Sequence, residues 1–447
     1  MKVNSLPYLA TNPLLRSVFN QLPYRWQVGL ILKVWEYHYQ RRRRRWHWCS
    51  NQLSGRLPRR AGQHDGLVSV VLPVYNQATT LEAAIKSVLQ QTYPHIELII
   101  VNDGSTDETS AVLDGFVTNP NVKIFHQPNY RLSTALNRGF QSAGGEFFTW
   151  TSADNLMVPD QINQLVTYLR YHLDVALVYA DFELIDETSQ PVHSAANLIM
   201  RGEVNSSIVR PKREPARLNI GYESVIGPCF LYRSFLPLLI GQYNSELEGS
   251  EDFDYWIRVH NFFKINHLGS NQPLYKYRIH PNRMSTRLKK QIRRWRYWLM
   301  QREQQFQQRL KTPAEVVADQ ASLNLMAQIE AGNLPLPQLK LKPLTGWQQE
   351  SWQPAAFLFK ITAASLSMIK ELKRRHNVPL ILWADNDANA ALLIEADHLA
   401  DLMIVLTDPG GLNSRNGLMA RSIQEMAELI RIFAGSKINA GIISLAQ

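Results

Sequence analysis

Between Leu67 and Ser152 short apolar runs alternate with helical periodicity, strand then helix, and a chain with that rhythm is committed to a parallel sheet covered by helices. "LVSVVLPVY" reads as a buried strand, "ATTLEAAIKSVLQQT" as a helix begun at a Thr cap, and "IELIIVND" as a second strand. "TDETSAVLDGF", "VKIFHQ", "LSTALNRGFQSA" and "EFFTWTS" continue as helix, strand, helix and strand. Ligands on sheets wound this way gather at the carboxyl ends of the strands. Those ends read "PVYN", "NDGSTD", "HQPNYR" and "TSADN", so four polar loops converge on one rim. No G-x-G-x-x-G follows the first strand, and Pro73-Val74-Tyr75-Asn76 has no glycine to let a backbone approach a pyrophosphate, which argues against dinucleotide binding.

Beyond Asp160 the pattern predicts a helix ("QINQLVTYLRYH"), a strand ("VALVYADFELID") and a polar stretch, Glu187 to Asn219, suited to a lid or acceptor loop. "EGSEDFDYWIRVHNFF" reads as a helix with acids at its start. Residues 287 to 311 form a basic, Trp-containing helix, and the prolines of "NLPLPQLKLKPLTGWQQESWQP" mark a linker. A second alternating pattern from Ala355 predicts a small Rossmann-like α/β unit. Four segments are therefore expected: an arm over 1–66, an α/β domain over 67–286, a helix and linker over 287–353, and the small unit over 354–447.

The net charge of +10 is unevenly placed: Lys2, Arg16, Arg25, Lys33, Arg41 to Arg45, Arg56, Arg59 and Arg60 face only Glu36 and Asp65 in the arm, which holds the whole excess. "WQVGLILKVWEYHY" runs into "RRRRRWHW", and Trp, Tyr and Arg together suit an anionic membrane headgroup region. A helix packed on its own domain beside a solvated charge run is the other reading. No nucleic-acid module accompanies the basic run, so nucleic acid is not an expected partner. Cys49 and Cys229 make no disulfide framework. With neither a signal-peptide layout nor an uncharged apolar run of membrane-spanning length, the expected location is cytoplasmic, peripheral on the inner face of the membrane.

The run from Val68 through "NDGSTD" closely resembles the start of the family 2 glycosyltransferases, whose single catalytic domain has the GT-A fold. "NYRLSTALNRG", "SADN", "SEDFDYWIR" and "YRIHPNRMS" follow in matching order, so the resemblance covers roughly Val68 to Ser285. It implies an α/β, mostly parallel sheet and inverting transfer of a sugar from a nucleotide-sugar donor, UDP-linked, to a glycan or lipid-linked acceptor in cell-surface polysaccharide or glycoconjugate synthesis.

The resemblance also implies roles. Asp103 matches the acid that accepts a hydrogen bond from the base, with the Tyr75 ring and the backbone near Pro73 beside it. Arg131, between Asn129 and Asn137, would meet a phosphate or the base edge. Asp154 matches the metal-binding acid of a D-x-D motif, with Ser152 in place of the first, ribose-contacting acid and Asn155 in place of a third. A divalent cation, Mg2+ or Mn2+, is expected there, and His280 matches a histidine that approaches the metal or phosphates. Asp252 matches the base that deprotonates the acceptor, and the charges of Glu251 and Asp254 are expected to raise its proton affinity. Glu251 and Trp256 fall on the acceptor side, Trp256 either stacking on a sugar or belonging to the core. The plainer readings are a capping turn for "NDGS", dipole partners for the acids of "SEDFD", a structural histidine and a solvated arginine. The missing first acid also admits a non-catalytic nucleotide- or glycan-binding member acting as a scaffold at the membrane.

Overall fold

The computed structural model describes residues 57–60, 62–192, 203–205, 207–211, 213, 215, 218, 224–281, 283–309, 314–320 and 322–323. Farther on it describes 339–343, 356–360, 379–384, 400–405, 417–419 and single helical positions at 365, 369–370, 373–374, 426, 429–430 and 432–433. The expected membrane-docking helix lies outside the described residues, as do residues 385–399 and 434–447 of the small unit expected from Ala355.

The chain enters through β1 (Arg59–Arg60) and then alternates as its periodicity dictates. β2 (His64–Val74), α1 (Ala78–Leu89), β3 (Ile96–Asp103), α2 (Thr109–Asp114), β4 (Val122–Gln127), α3 (Arg131–Gln141) and β5 (Gly145–Trp150) build one half of a sheet. β6 (Leu156–Met157), α4 (Gln161–Tyr171), β7 (Val175–Tyr179), β8 (Phe182–Ile185), β9 (Glu203–Asn205), β10 (Ile208–Arg210) and β11 (Phe230–Arg233) follow. α5 (Leu236–Ile240), α6 (Glu251–Phe262), β12 (Lys264–His267), β13 (Tyr275–Arg278), α7 (Met284–Arg287) and α8 (Lys289–Arg309) complete this unit.

Its main sheet has the order β12-β7-β11-β5-β2-β3-β4. β2 pairs in parallel with both β3 and β5, β3 with β4 and β7 with β12, while β11 alone runs antiparallel to its neighbours β5 and β7. The parallel half is buried on both faces, as the unbroken apolar runs require. Val68, Val70, Leu72 and Val74 face the layer holding Leu81, Ala84, Ile85 and Val88 of α1, and Val71 faces Leu136 and Phe140 of α3. Gly139 lets α3 seat there, because a Cβ at that position would meet Val71 Cγ1 at 2.5 Å. A second sheet, β6-β13-β8-β10-β9, caps the rim. It takes in part of the stretch expected as a lid, and residues 193–202 of that stretch lie outside the described residues.

The long basic helix belongs to this first unit rather than to a linker. Leu299, Met300 and Phe306 of α8 are buried, Asn261 Nδ2 of α6 donates to Glu303 Oε2 at 2.9 Å, and Arg302 pairs with Asp254. The domain therefore runs past the boundary at 286 that the motifs suggested.

The Pro-rich linker reading also needs correction. β15 (Leu339–Pro343) lies inside it and, with β14 (Ala314–Ala318) ahead of it, joins β16 (Ala356–Lys360), β17 (Leu380–Ala384), β18 (Leu402–Val405) and β19 (Gly417–Met419) in a second sheet, ordered β1-β19-β18-β17-β16-β14-β15. β15 is an edge strand with Pro343 at its end, where a missing N–H costs no ladder bond. Apart from β1, every pairing in this sheet is parallel, as the Rossmann-like pattern predicts. β1 ties the end of the arm to it, so the arm stops short of residue 66.

Candidate active site

Four loops at the carboxyl ends of β2, β3, β4 and β5, with the turn before α6 and the start of α8, enclose a cleft of about 480 Å³. Its lining includes Pro73, Tyr75, Asp103, Arg131, Ser152, Asp154, Glu251 and Asp252, so most of the residues singled out in the sequence come together.

The loop after β2 is fastened to the loop after β3. Asn76, at φ 50, donates its N–H to Ser105 Oγ at 3.0 Å and accepts the Thr106 N–H on Oδ1 at 2.8 Å. Tyr75 stays 48% exposed at the mouth. Asp103 is buried at the end of β3, and its Oδ1 accepts from Gln127 Nε2 at 2.7 Å and from the Tyr130 N–H at 2.9 Å. The chain turns away at Gly104, with φ +76, where a Cβ would stand 2.7 Å from the Asn129 backbone nitrogen. "NDGS" thus needs its glycine for both conformation and space. Arg131, the first residue of α3, donates to Glu248 Oε2 at 2.7 Å and so links the β4 loop to the turn ahead of α6.

Below β5, Asp154 Oδ2 lies 3.0 Å from His280 Nε2, and Asp154 Oδ1 is buried without a partner. Sequence reading passed over Arg278, which holds this loop in place. Its guanidinium donates to the carbonyls of Asp154, Asp186 and Glu187 and to Ser189 Oγ, and its N–H to Asn155 Oδ1 at 2.8 Å. Of the residues singled out for a cation, Asp154 and His280 are the two that the structure brings side by side. Among the described residues no group of three or more His, Cys, Asp or Glu is gathered in metal-binding proximity.

α6 opens at Ser250 and places three acids in its first turn, where the helix dipole favours them. They have different fates. Asp254 points into the core: burial would push its carboxyl up, but Arg258, 2.9 Å away, and Arg302, 2.5 Å away, outweigh that and hold it low. Glu251 is buried with Oε2 unpartnered, and burial followed by the neighbouring Asp252 charge pushes it up to about 8. Burial also raises Asp252, against the pull of the Arg296 guanidinium, and Asp252 Oδ1 accepts its own helix's Phe253 N–H at 2.6 Å. The expected influence of Asp254 on Asp252 is therefore replaced by an Arg-neutralised core acid.

Trp256 also departs from expectation. It is 1% exposed, packs edge-on against Phe230 with ring centroids 4.7 Å apart, and is absent from the cleft lining. Of its two readings, the core one describes it.

Arg287 and Arg296 line the cleft from a segment the motifs had set apart as a linker helix, beside Arg283 of "YRIHPNRMS". The basic run of "RLKKQIRRWR" was the available signal. The turn before α6 is locked to this helix, because a Cβ at Gly249, with φ +79, would come within 2.9 Å of Ile292 Cγ1.

Residues 69–236 match the family described as glycosyl transferase family 2. The chain is 30% identical over 217 residues to an uncharacterized glycosyltransferase of Rickettsia typhi, an alignment covering 48% of this chain and 64% of that protein. It is 34% identical over 124 residues to the glycosyltransferase GlyG of Streptococcus pneumoniae, covering 27% and 41%. Among solved structures, Staphylococcus aureus TarS 1–349 in complex with UDP-GlcNAc aligns with a TM-score of 0.38 at 19% identity, covering 49% of this chain and 61% of that one. The chain thus spans less than two thirds of the length of these relatives. The matched residues fall within the domain built on the mostly parallel sheet. Over those residues the chain is similar to glycosyltransferase family 2.

Proposed function

We propose that this chain is an inverting transferase that moves a sugar from a UDP-linked donor to a glycan or lipid-linked acceptor, with Asp252 as the base. The observation that carries the reading is the meeting of Asp103, Asp154 and Asp252, from three separated stretches, on the wall of one cleft. At one end, Asp103 is fixed by two hydrogen bonds to Oδ1, and its remaining acceptor capacity suits the imide N–H of a uracil. The exposed Tyr75 ring offers a face on which that base stacks. Ser152 supplies a hydroxyl for the ribose.

A divalent cation, Mg2+ or Mn2+, fits at the next station, because the buried Asp154 Oδ1 has no partner and His280 holds the other oxygen. Asp154 and His280 would hold it, and when bound it supplies positive charge against the donor's phosphates. The acceptor hydroxyl attacks the anomeric carbon from the face opposite the nucleotide, the bond to the diphosphate oxygen breaks, and Asp252 takes the hydroxyl proton. Glu251, pushed up to about 8 by burial and the Asp252 charge, is the member of this acidic pair to which we assign the proton. As a neutral acid Glu251 donates a hydrogen bond to an acceptor oxygen.

We place the work in cell-surface polysaccharide or glycoconjugate synthesis at the cytoplasmic face of a membrane, with the basic arm as the docking element. Among the described residues no helix is long and apolar enough to cross a membrane. Incubation with UDP-, GDP- and dTDP-sugars and candidate acceptors, with released nucleotide measured, tests the reading. Release is expected from a UDP-sugar. Nucleotide binding with no release from any donor would favour the scaffold reading instead.

A further inference from the structure

The cation site is thin. Asp154 is its sole carboxylate and His280 its sole imidazole, Ser152 brings no charge, and no third ligand is gathered among the described residues. A leaving nucleoside diphosphate nevertheless gains charge as the sugar departs, and that charge must be met from somewhere. The cleft is otherwise rich in guanidiniums, but most are engaged. Arg131 is paired with Glu248, and Arg296 stands beside Asp252, whose proton affinity it lowers.

Arg283 and Arg287 differ. Both line the cleft, and they lie one helical turn apart, with the Arg287 N–H donating to the Arg283 carbonyl at 3.2 Å. Residues at that spacing share a helix face, where two like charges repel unless an anion comes between them. Arg283 Nε donates to the Thr286 hydroxyl at 3.0 Å, and among the described residues neither guanidinium forms an ion pair. Their position along the cleft is fixed by His280, since the Arg283 N–H donates to the His280 carbonyl at 3.4 Å. Tyr277, another lining residue, is close enough to Asp154, Arg283 and Asp252 to feel the charge of each.

We propose that Arg283 and Arg287 form a cradle for the donor's diphosphate and replace, in large part, the charge a fuller metal site would provide. The inference rests on the nucleotide-sugar reading of the cleft. The fork geometry of guanidinium suits phosphate oxygens, and two forks on one face clamp a diphosphate with or without a cation. The cradle stabilises the leaving group as the glycosidic bond breaks, while the acceptor proton goes to Asp252.

Calorimetric titration of the full chain with UDP, in EDTA and in Mn2+, tests the cradle. Wild type should bind UDP in EDTA within about threefold of its affinity in Mn2+. The Arg283→Ala/Arg287→Ala variant should lose about tenfold or more in EDTA, the loss expected for removing charge-assisted hydrogen bonds. Arg283→Lys/Arg287→Lys should recover part of the loss by charge alone. Both positions are at least partly exposed, so folding is preserved in these variants. Wild-type binding that vanishes in EDTA, or a double alanine variant that binds like wild type in EDTA, would overturn the cradle. If neither UDP, GDP nor dTDP binds under either condition, the donor reading itself fails, and the cradle falls with it.

Discussion

His280 Nε2 stands 3.0 Å from Asp154 Oδ2, joining the segment after β13 to the loop below β5. The contact turns the carboxyl so that Oδ1 is left buried and unpartnered. Removing a group that orients or shares a ligand typically weakens a metal by about tenfold or more. His280→Ala should therefore raise the Mn2+ concentration that half-saturates the UDP-bound protein by about tenfold, followed by electron paramagnetic resonance of the free ion. An unchanged titration would separate His280 from the cation.

Glu251 gives a stability prediction with a definite sign. Its folded value, pushed up to about 8 by burial and by Asp252, exceeds that of an unfolded glutamate, about 4.3. Between those values the unfolded chain releases a proton that the folded chain keeps, so stability falls as pH rises from about 4.5 to about 8. Glu251→Gln removes this loss. The melting temperature of the variant relative to wild type should rise between pH 5 and pH 8.5, and a constant difference would show that Glu251 is not held protonated.

Arg296 opposes the burial that raises Asp252. Arg296→Met removes the cation while keeping an apolar side chain against Phe253, over whose ring the guanidinium lies 5.0 Å from the centroid. The acidic limb of the pH–rate profile should move up by about one pH unit, the order expected when a carboxylate loses a neighbouring arginine. A stationary limb, at whatever rate, would show that the titrating group is not Asp252.

Asp103→Ala deletes the carboxylate proposed to accept the uracil imide. UDP affinity should fall by about tenfold to a hundredfold, as for other hydrogen bonds to a charged group. Equal affinity in a calorimetric titration would remove Asp103 from the donor site.

Much of the domain could be read from local pattern. Continuous apolar runs such as "VSVVLPV" and "IELIIV" require a strand buried on both faces, and Gly104 marks the turn beyond Asp103. What could not be read depends on contacts between distant segments. Nothing local says that Arg302 will neutralise Asp254, that Arg278 will bind the carbonyls of Asp154 and Asp186, or that Arg296 will face Asp252. Trp256 lies on a helix whose burial extends around most of its circumference, so spacing alone does not separate an acceptor-facing ring from a core one. Pro343 misled for a different reason: a proline that breaks a central strand is harmless at the end of an edge strand, and edge position is a property of the assembled sheet.

The central claim is that Asp252 takes the acceptor proton in a sugar transfer driven within this cleft. It is tested most directly by comparing wild type and Asp252→Asn, with the active UDP-sugar and acceptor, for product formed and for UDP affinity. Loss of general-base catalysis should lower turnover by about a hundredfold to ten-thousandfold while UDP affinity stays within about twofold. Normal turnover by Asp252→Asn would contradict the account.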